Sequence, residues 1–223
     1  MTWISVALLG GIAGVDATTV GQFMVSRPFV AATVTGLVAG RPIEGAMLGA
    51  ILELFALVIL PVGAARYPES GTAAVAATGA YVATTPVISP AVMLIAVLFS
   101  LLWERVGGLT VVLGRRFNEE YVALAPLDPV RPDRDLERRH LVAIGVDFAR
   151  AALLTLAGWS LGTLALQSVA QLWSMSPSVA PAILSIGLSC MVGAALPLFG
   201  GLRARKAALL IGVLCGSLLV ILR

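Results

Sequence analysis

The chain has 223 residues, 59% of them hydrophobic and only 12% charged, with a mean hydropathy of +0.98. Soluble domains carry about 25% charged residues, so this composition excludes an ordinary water-soluble domain and points to the bilayer. The net charge of +3 does not describe a nucleic-acid surface, because the arginines cluster in loops between apolar segments, where they act as topology signals.

The first apolar segment, residues 3–15, has no basic region ahead of it and is followed by more membrane-like sequence. It reads as a first span rather than a cleaved signal peptide. Residues 16–22, DATTVGQ, then break the apolar pattern. Further apolar segments follow at 29–39, 47–60, 73–83 and 87–103, several of them shorter than the ~20 residues a full span needs. Short pieces interrupted by polar residues are the signature of broken or re-entrant helices. Their freed backbone groups are tolerable only when buried in protein or lining a cavity. Pro28 and Pro42 each follow an arginine and suit the first turn of a helix, where no N–H donor is lost. Pro61 is expected to end its helix and open a turn through Ser70.

Gly45, Gly49 and Glu53 are spaced by four and share one helix face, flanked by Ala46, Ala50 and Ala56. Small residues at this spacing let another helix approach closely, which turns the face, and Glu53 with it, toward protein. Gly10 and Gly14 repeat the spacing ahead of Asp16, and Gly36 and Gly40 repeat it ahead of Arg41. A carboxylate within the membrane costs a few kcal/mol unless it is paired or hydrated. Two readings are open. In one, Arg27 or Arg66 neutralises Glu53 or Asp16 in a buried ion pair. In the other, Asp16, Gln22 and Glu53 line a pocket for a hydroxyl-rich solute, a chemistry that suits cations equally well.

Residues 115–140 hold twelve of the 27 acidic and basic side chains, six arginines against six acids, with prolines at 126, 129 and 132. This nearly neutral stretch reads as a solvated connector between an N-terminal membrane half, 1–114, and a C-terminal half, 141–223. The second half is expected to hold about three helices, near 141–167, 181–199 and 205–222. Two crossings then place the connector and the basic cluster at 203–206 on one side, which the positive-inside tendency makes cytoplasmic. Cys190 and Cys215 fall in apolar spans and His140 is the only histidine, so neither a disulfide nor a metal site is expected. No nucleophile–base pair stands out, so neither an enzyme nor a cofactor is expected. The fold class that follows is an all-α polytopic membrane protein of two related halves. It would have about 6–8 membrane segments, some of them short, broken or re-entrant.

One multi-part pattern goes further: Arg27-Pro28, then Gly36 and Gly40, then GxxxGxxxEL from Gly45 to Leu54, then PVGAARYP from Pro61 to Pro68. It resembles the membrane subunit IIC of the mannose-type phosphotransferase systems, which handle mannose, fructose, sorbose or N-acetylgalactosamine. The likeness is clear over about residues 10–82, and beyond that only the layout supports it. It implies a bacterial inner-membrane subunit that forms a sugar pathway with a second membrane subunit, IID, in a trimeric assembly. Soluble IIA and IIB components would carry phosphoryl groups and phosphorylate the arriving sugar, and IIC itself would not be phosphorylated. On this reading Glu53 binds sugar hydroxyls with Asp16 and Gln22, and Glu69 sits near the mouth. The alternatives are an uncoupled transporter of a cation or small solute, and a membrane interaction or sensory subunit that transports nothing.

Overall fold

The structure is a computed structural model that describes residues 1–57, 68–84, 89–123 and 130–172, with isolated helical positions at 185, 189, 193, 206, 207, 210, 211 and 214. Among the described residues all regular structure is helical: α1 Trp3–Thr18, α2 Pro28–Val38, α3 Pro42–Ala56, α4 Ser70–Thr84, α5 Pro90–Ala123 and α6 Pro132–Leu172. The first four are short, as the broken apolar pattern predicts, whereas α5 runs on from the segment expected at 87–103 into the stretch expected as a connector. The expected turn from Pro61 and most of the two helices expected near 181–199 and 205–222 lie outside the described residues.

Local chemistry sets the helix ends. Thr2 and Ser5 form a reciprocal capping box at the start of α1. The helix stops at the run Thr18-Thr19-Val20-Gly21, whose members are all weak helix formers. Pro28 and Pro42 occupy the first turns of α2 and α3, as anticipated. Between them the chain reverses through Gly40 at φ +75, with the Gly40 amide donating to Leu37 O (3.0 Å) and the Arg41 amide to Gly36 O (2.7 Å). This is the Schellman arrangement, which needs a residue tolerant of the left-handed region. Gly40 is therefore a turn glycine and not a packing one, because a side chain there would meet open space.

The other glycines do pack. A Cβ on Gly36 would lie 2.8 Å from the Gly45 Cα, and one on Gly45 would lie 2.5 Å from the Ala32 carbonyl oxygen. The α2–α3 hairpin thus crosses backbone on backbone. On α1, Cβ atoms at Gly10, Gly11 and Gly14 would collide with Thr155, Phe148 and Ala151 of α6, so these two helices run antiparallel in close contact. With lipid outside there is no hydrophobic drive between helices, and this close packing supplies the association.

α4 is the axis of the bundle. Every residue from Gly71 to Tyr81 is buried, and alanine and glycine supply most of them, so neighbours can approach from all sides. Around it, α5 and α6 pair antiparallel: Phe99 and Trp103 stack with ring centroids 5.6 Å apart and rest on the gaps at Gly162 and Gly158 of α6. The Trp103 indole donates to Leu154 O at 3.3 Å. Both helices are long and apolar enough to cross a membrane. At 1.5 Å per residue they run about 51 and 61 Å, well beyond the ~30 Å hydrocarbon slab. Their charged ends account for the excess. Residues 115–123 continue α5 and residues 132–140 open α6, so the stretch expected to be a connector is helical on both sides of its proline-rich middle. Pro132 fits the first turn of α6, and Asp133 and Asp135 there complement the helix dipole.

These contacts separate glycines by role. Gly45→Ala places a methyl against a backbone carbonyl that cannot move aside and should cost about 1–3 kcal/mol by overpacking. Gly145 of α6 has nothing near its Cβ position, so Gly145→Ala should be neutral or stabilising by up to ~1 kcal/mol. Thermal unfolding of the two variants in detergent checks this; equal melting temperatures would rule out the backbone crossing.

Candidate functional site

The ends of all four short helices converge beside the middle of α5 and α6. Asp16 is on the last turn of α1 and buried. Its carboxylate accepts the amides of Phe23 (2.6 Å) and Ser26 (2.8 Å), folding the loop after α1 back onto the helix end. That loop holds Gln22 at φ 50 and Met24 at φ 64, beside Gly21 at φ 77. Non-glycine residues in the left-handed region cost on the order of 1 kcal/mol or more, and two bonds to one buried carboxylate hold them there. The Ser26 backbone then passes so close to α4 that a Cβ on Gly71 would lie 2.5 Å from Ser26 O.

Glu53, on the last turn of α3, takes the next contact. The Arg27 guanidinium donates to Glu53 Oε1 through Nε (2.7 Å) and Nη2, and the Phe29 amide donates to Oε2 (3.1 Å). Glu53 therefore neutralises an arginine and also satisfies one of the orphan N–H groups at the start of α2. The side chains stay partly open, 35% for Arg27 and 20% for Glu53.

The second cluster is more enclosed. Glu69, immediately before α4, is 2% exposed. Arg150 of α6 grips it with two parallel bonds, Nη1 to Oε2 and Nη2 to Oε1, both 2.9 Å. The same guanidinium donates through Nε to Asp147 Oδ1 and through Nη1 to the Thr110 hydroxyl of α5, both 2.8 Å. Asp147 Oδ2 in turn receives the hydroxyls of Thr18 and Thr19 at the end of α1. Finally, the Glu69 amide donates to Glu104 O on α5 at 3.0 Å. One arginine thus ties four helices together, and forked guanidinium–carboxylate bonding fixes their orientation as well as their proximity. Glycines make room for it: a Cβ on Gly14 would lie 3.2 Å from Glu69 Oε1, and one on Gly107 would lie 2.9 Å from Oε2.

The four residues singled out from sequence fall on this convergence but differ in environment. Asp16 serves backbone amides, Glu53 is paired with Arg27, Glu69 is locked by Arg150, and Gln22 is exposed on the loop that Asp16 holds. Arg66 lies outside the described residues. Sequence reasoning missed Asp147, Arg150 and Thr110. Arg150 is the last charge before an uncharged run of 52 residues, and Asp147 sits three before it on the same helix face. That acid–base pair at the head of an apolar helix was the available signal.

The architecture is that of an α-helical membrane protein with broken helices meeting at an internal polar site. A solved structure described as "Structure of membrane protein" superposes with a TM-score of 0.64 at 19% identity, covering 99% of this chain and 93% of that one. The family described as "PTS system sorbose-specific iic component" matches residues 1–201, and the chain belongs to that family. Among curated relatives, the sorbose-specific EIIC component of Klebsiella pneumoniae is 40% identical over 72 residues, or 32% of this chain. That of Lacticaseibacillus casei is 36% identical over 76 residues, or 34% of this chain. The matched segments span about a quarter of these relatives, 27% and 25% of their lengths.

Arg150→Met strands two nearly buried carboxylates and should cost about 3–5 kcal/mol. Adding Glu69→Gln to that variant removes one of the stranded charges and should recover part of the loss. A double-mutant cycle read by denaturation measures the coupling, expected to exceed ~1 kcal/mol. Additive effects would show that the two side chains do not depend on each other.

Proposed function

We propose that the protein is the sugar-translocating IIC subunit of a phosphoenolpyruvate-dependent phosphotransferase system, carrying a hexose or related sugar through the inner membrane as a multi-pass protein. The observation that carries this reading is the coincidence of family membership with broken helix ends that meet at an internal polar cluster. Discontinuous helices converging on a polar centre are the construction of solute-binding sites in carriers. A IID membrane subunit and soluble IIA and IIB phosphocarriers complete the system, in a trimeric membrane assembly, and IIB phosphorylates the sugar. The reading as an uncoupled cation carrier has less support, because two of the converging carboxylates are already bound to arginines.

Within the cluster, Glu53 and Gln22 are the groups that reach the sugar. Glu53 is paired but partly open, so sugar hydroxyls can share its oxygens with Arg27, and the Gln22 amide both donates and accepts. Asp16 holds the loop that presents Gln22, and Glu69 holds the start of α4 at the mouth. Residues 1–114 form the half that moves, 115–140 face the cytoplasm, and 141–223 form the second half.

Two measurements test this. Glu53→Gln keeps the shape and can still accept the Phe29 amide. A partly exposed ion pair contributes little, so stability should fall by no more than ~1 kcal/mol while uptake of radiolabelled sugar drops strongly. A large loss of melting temperature with normal uptake by the surviving protein would make the carboxylate structural. For orientation, Asp133→Cys in a chain with Cys190 and Cys215 replaced by alanine should resist impermeant thiol reagents added to intact cells. Labelling from outside would invert the topology.

A further inference from the structure

One carboxylate near the cluster has no comparable partner. Glu104, in the middle of α5, is 5% exposed, and among the described residues its only ionic contact is Arg105 at 3.8 Å, itself 69% exposed in its side chain. Ser100 is one turn earlier on the same face and is 2% exposed. Among the described residues neither side chain makes a hydrogen bond. Nearby polar groups are satisfied: Glu69 by Arg150, Asp16 by two amides, and Thr155 by Ala151 O at 2.7 Å. An acidic side chain inside an apolar helix with no close partner is costly, and such residues mark solute or ion pathways.

Their placement suggests the use. The Glu104 carbonyl receives the Glu69 amide, so this turn of α5 lies beside the start of α4. Residues at i and i+4 hold their Cβ atoms about 5–6 Å apart, a span that suits two hydroxyls of one sugar ring. We propose that Ser100 and Glu104 are direct ligands of a neutral, hydroxyl-rich solute, with Glu104 accepting from one hydroxyl and Ser100 exchanging a hydrogen bond with another. Because α5 packs tightly on the start of α4, a solute reaches these side chains only when the two part, as alternating access requires. This inference rests on the transport reading above and adds two side chains to its binding site.

The test uses Glu104→Gln and Ser100→Ala in the full chain, in native membrane vesicles with associated subunits retained. Melting is followed with added sorbose, mannose or sodium chloride, alongside sugar uptake by cells. A hydrogen bond to a charged group accounts for about a ten-fold or larger change in affinity, so Glu104→Gln should need at least ~10-fold more sugar for the same thermal shift. Ser100→Ala should need roughly 3-fold more, in keeping with a neutral hydrogen bond. The sugar-free melting temperature of Glu104→Gln should equal or exceed wild type, since a group waiting for a ligand contributes nothing to the empty fold. Wild-type sugar responses in both variants, or lowered sugar-free melting with responses retained, overturn the assignment while leaving transport intact. A shift given by sodium and by neither sugar makes Glu104 a cation ligand and overturns it too. Wild type that neither takes up nor responds to either sugar defeats both this inference and the transport reading.

Discussion

A single guanidinium holds the centre of this protein together. Arg150 binds Glu69 through two parallel bonds, Asp147 through a third and Thr110 through a fourth, and Asp147 extends the set to Thr18 and Thr19. Burying these charges is costly, and their mutual attraction offsets that cost only while the geometry is kept. The ends of α1 and α4 and the middles of α5 and α6 are therefore not independently placeable. Much of the remaining design gives them access to one another: Gly14 and Gly107 bring backbone against Glu69, and Gly10 and Gly11 let α1 lie flat on α6.

The same constraint explains why the short helices are short. α1 ends where Asp16 must turn back to collect the amides of Phe23 and Ser26, and α3 carries Glu53 on its final turn, where it meets Arg27 and the start of α2. Asp16 satisfies amides of the loop that follows α1, and Glu53 satisfies one at the start of α2, which is the condition for irregular chain inside a membrane. The two clusters differ in rigidity. The Arg150 cluster is closed and bidentate, whereas the Arg27–Glu53 pair is partly open to exchange. A fixed anchor beside a looser pair suits a site that must hold its shape and still release a solute.

Much of this was legible in the sequence. The segments expected at 29–39 and 73–83 correspond to α2 and α4, the glycine faces at Gly45/Gly49 and Gly10/Gly14 are packed against neighbours, and an Arg27–Glu53 pair was one of two open readings. Residues 16–22 do mark the end of a helix. What was not legible required distance information. Glu69 and Arg150 are 81 positions apart, and no local pattern pairs them. Asp147 and Arg150 fall inside the helix expected near 141–167, but nothing local marks them as partners of Glu69, and α6 starts earlier than expected, at Pro132. Gly40 showed the packing spacing but serves the turn, a distinction set by φ and invisible in composition. Glu104 and Ser100 gave no signal because burial without a partner is a property of the folded chain alone.

The central claim is that the solute path runs through the convergence of the α1–α2 loop, the end of α3, the start of α4 and the middle of α5. The most direct test is a cryo-electron-microscopy map of the protein in lipid nanodiscs with saturating sugar, compared with a sugar-free map from the same preparation. The account predicts added density among Gln22, Glu53, Ser100 and Glu104, with the Arg150–Glu69 bridge intact beside it. Added density placed elsewhere, with this zone unchanged and still closed, would contradict it.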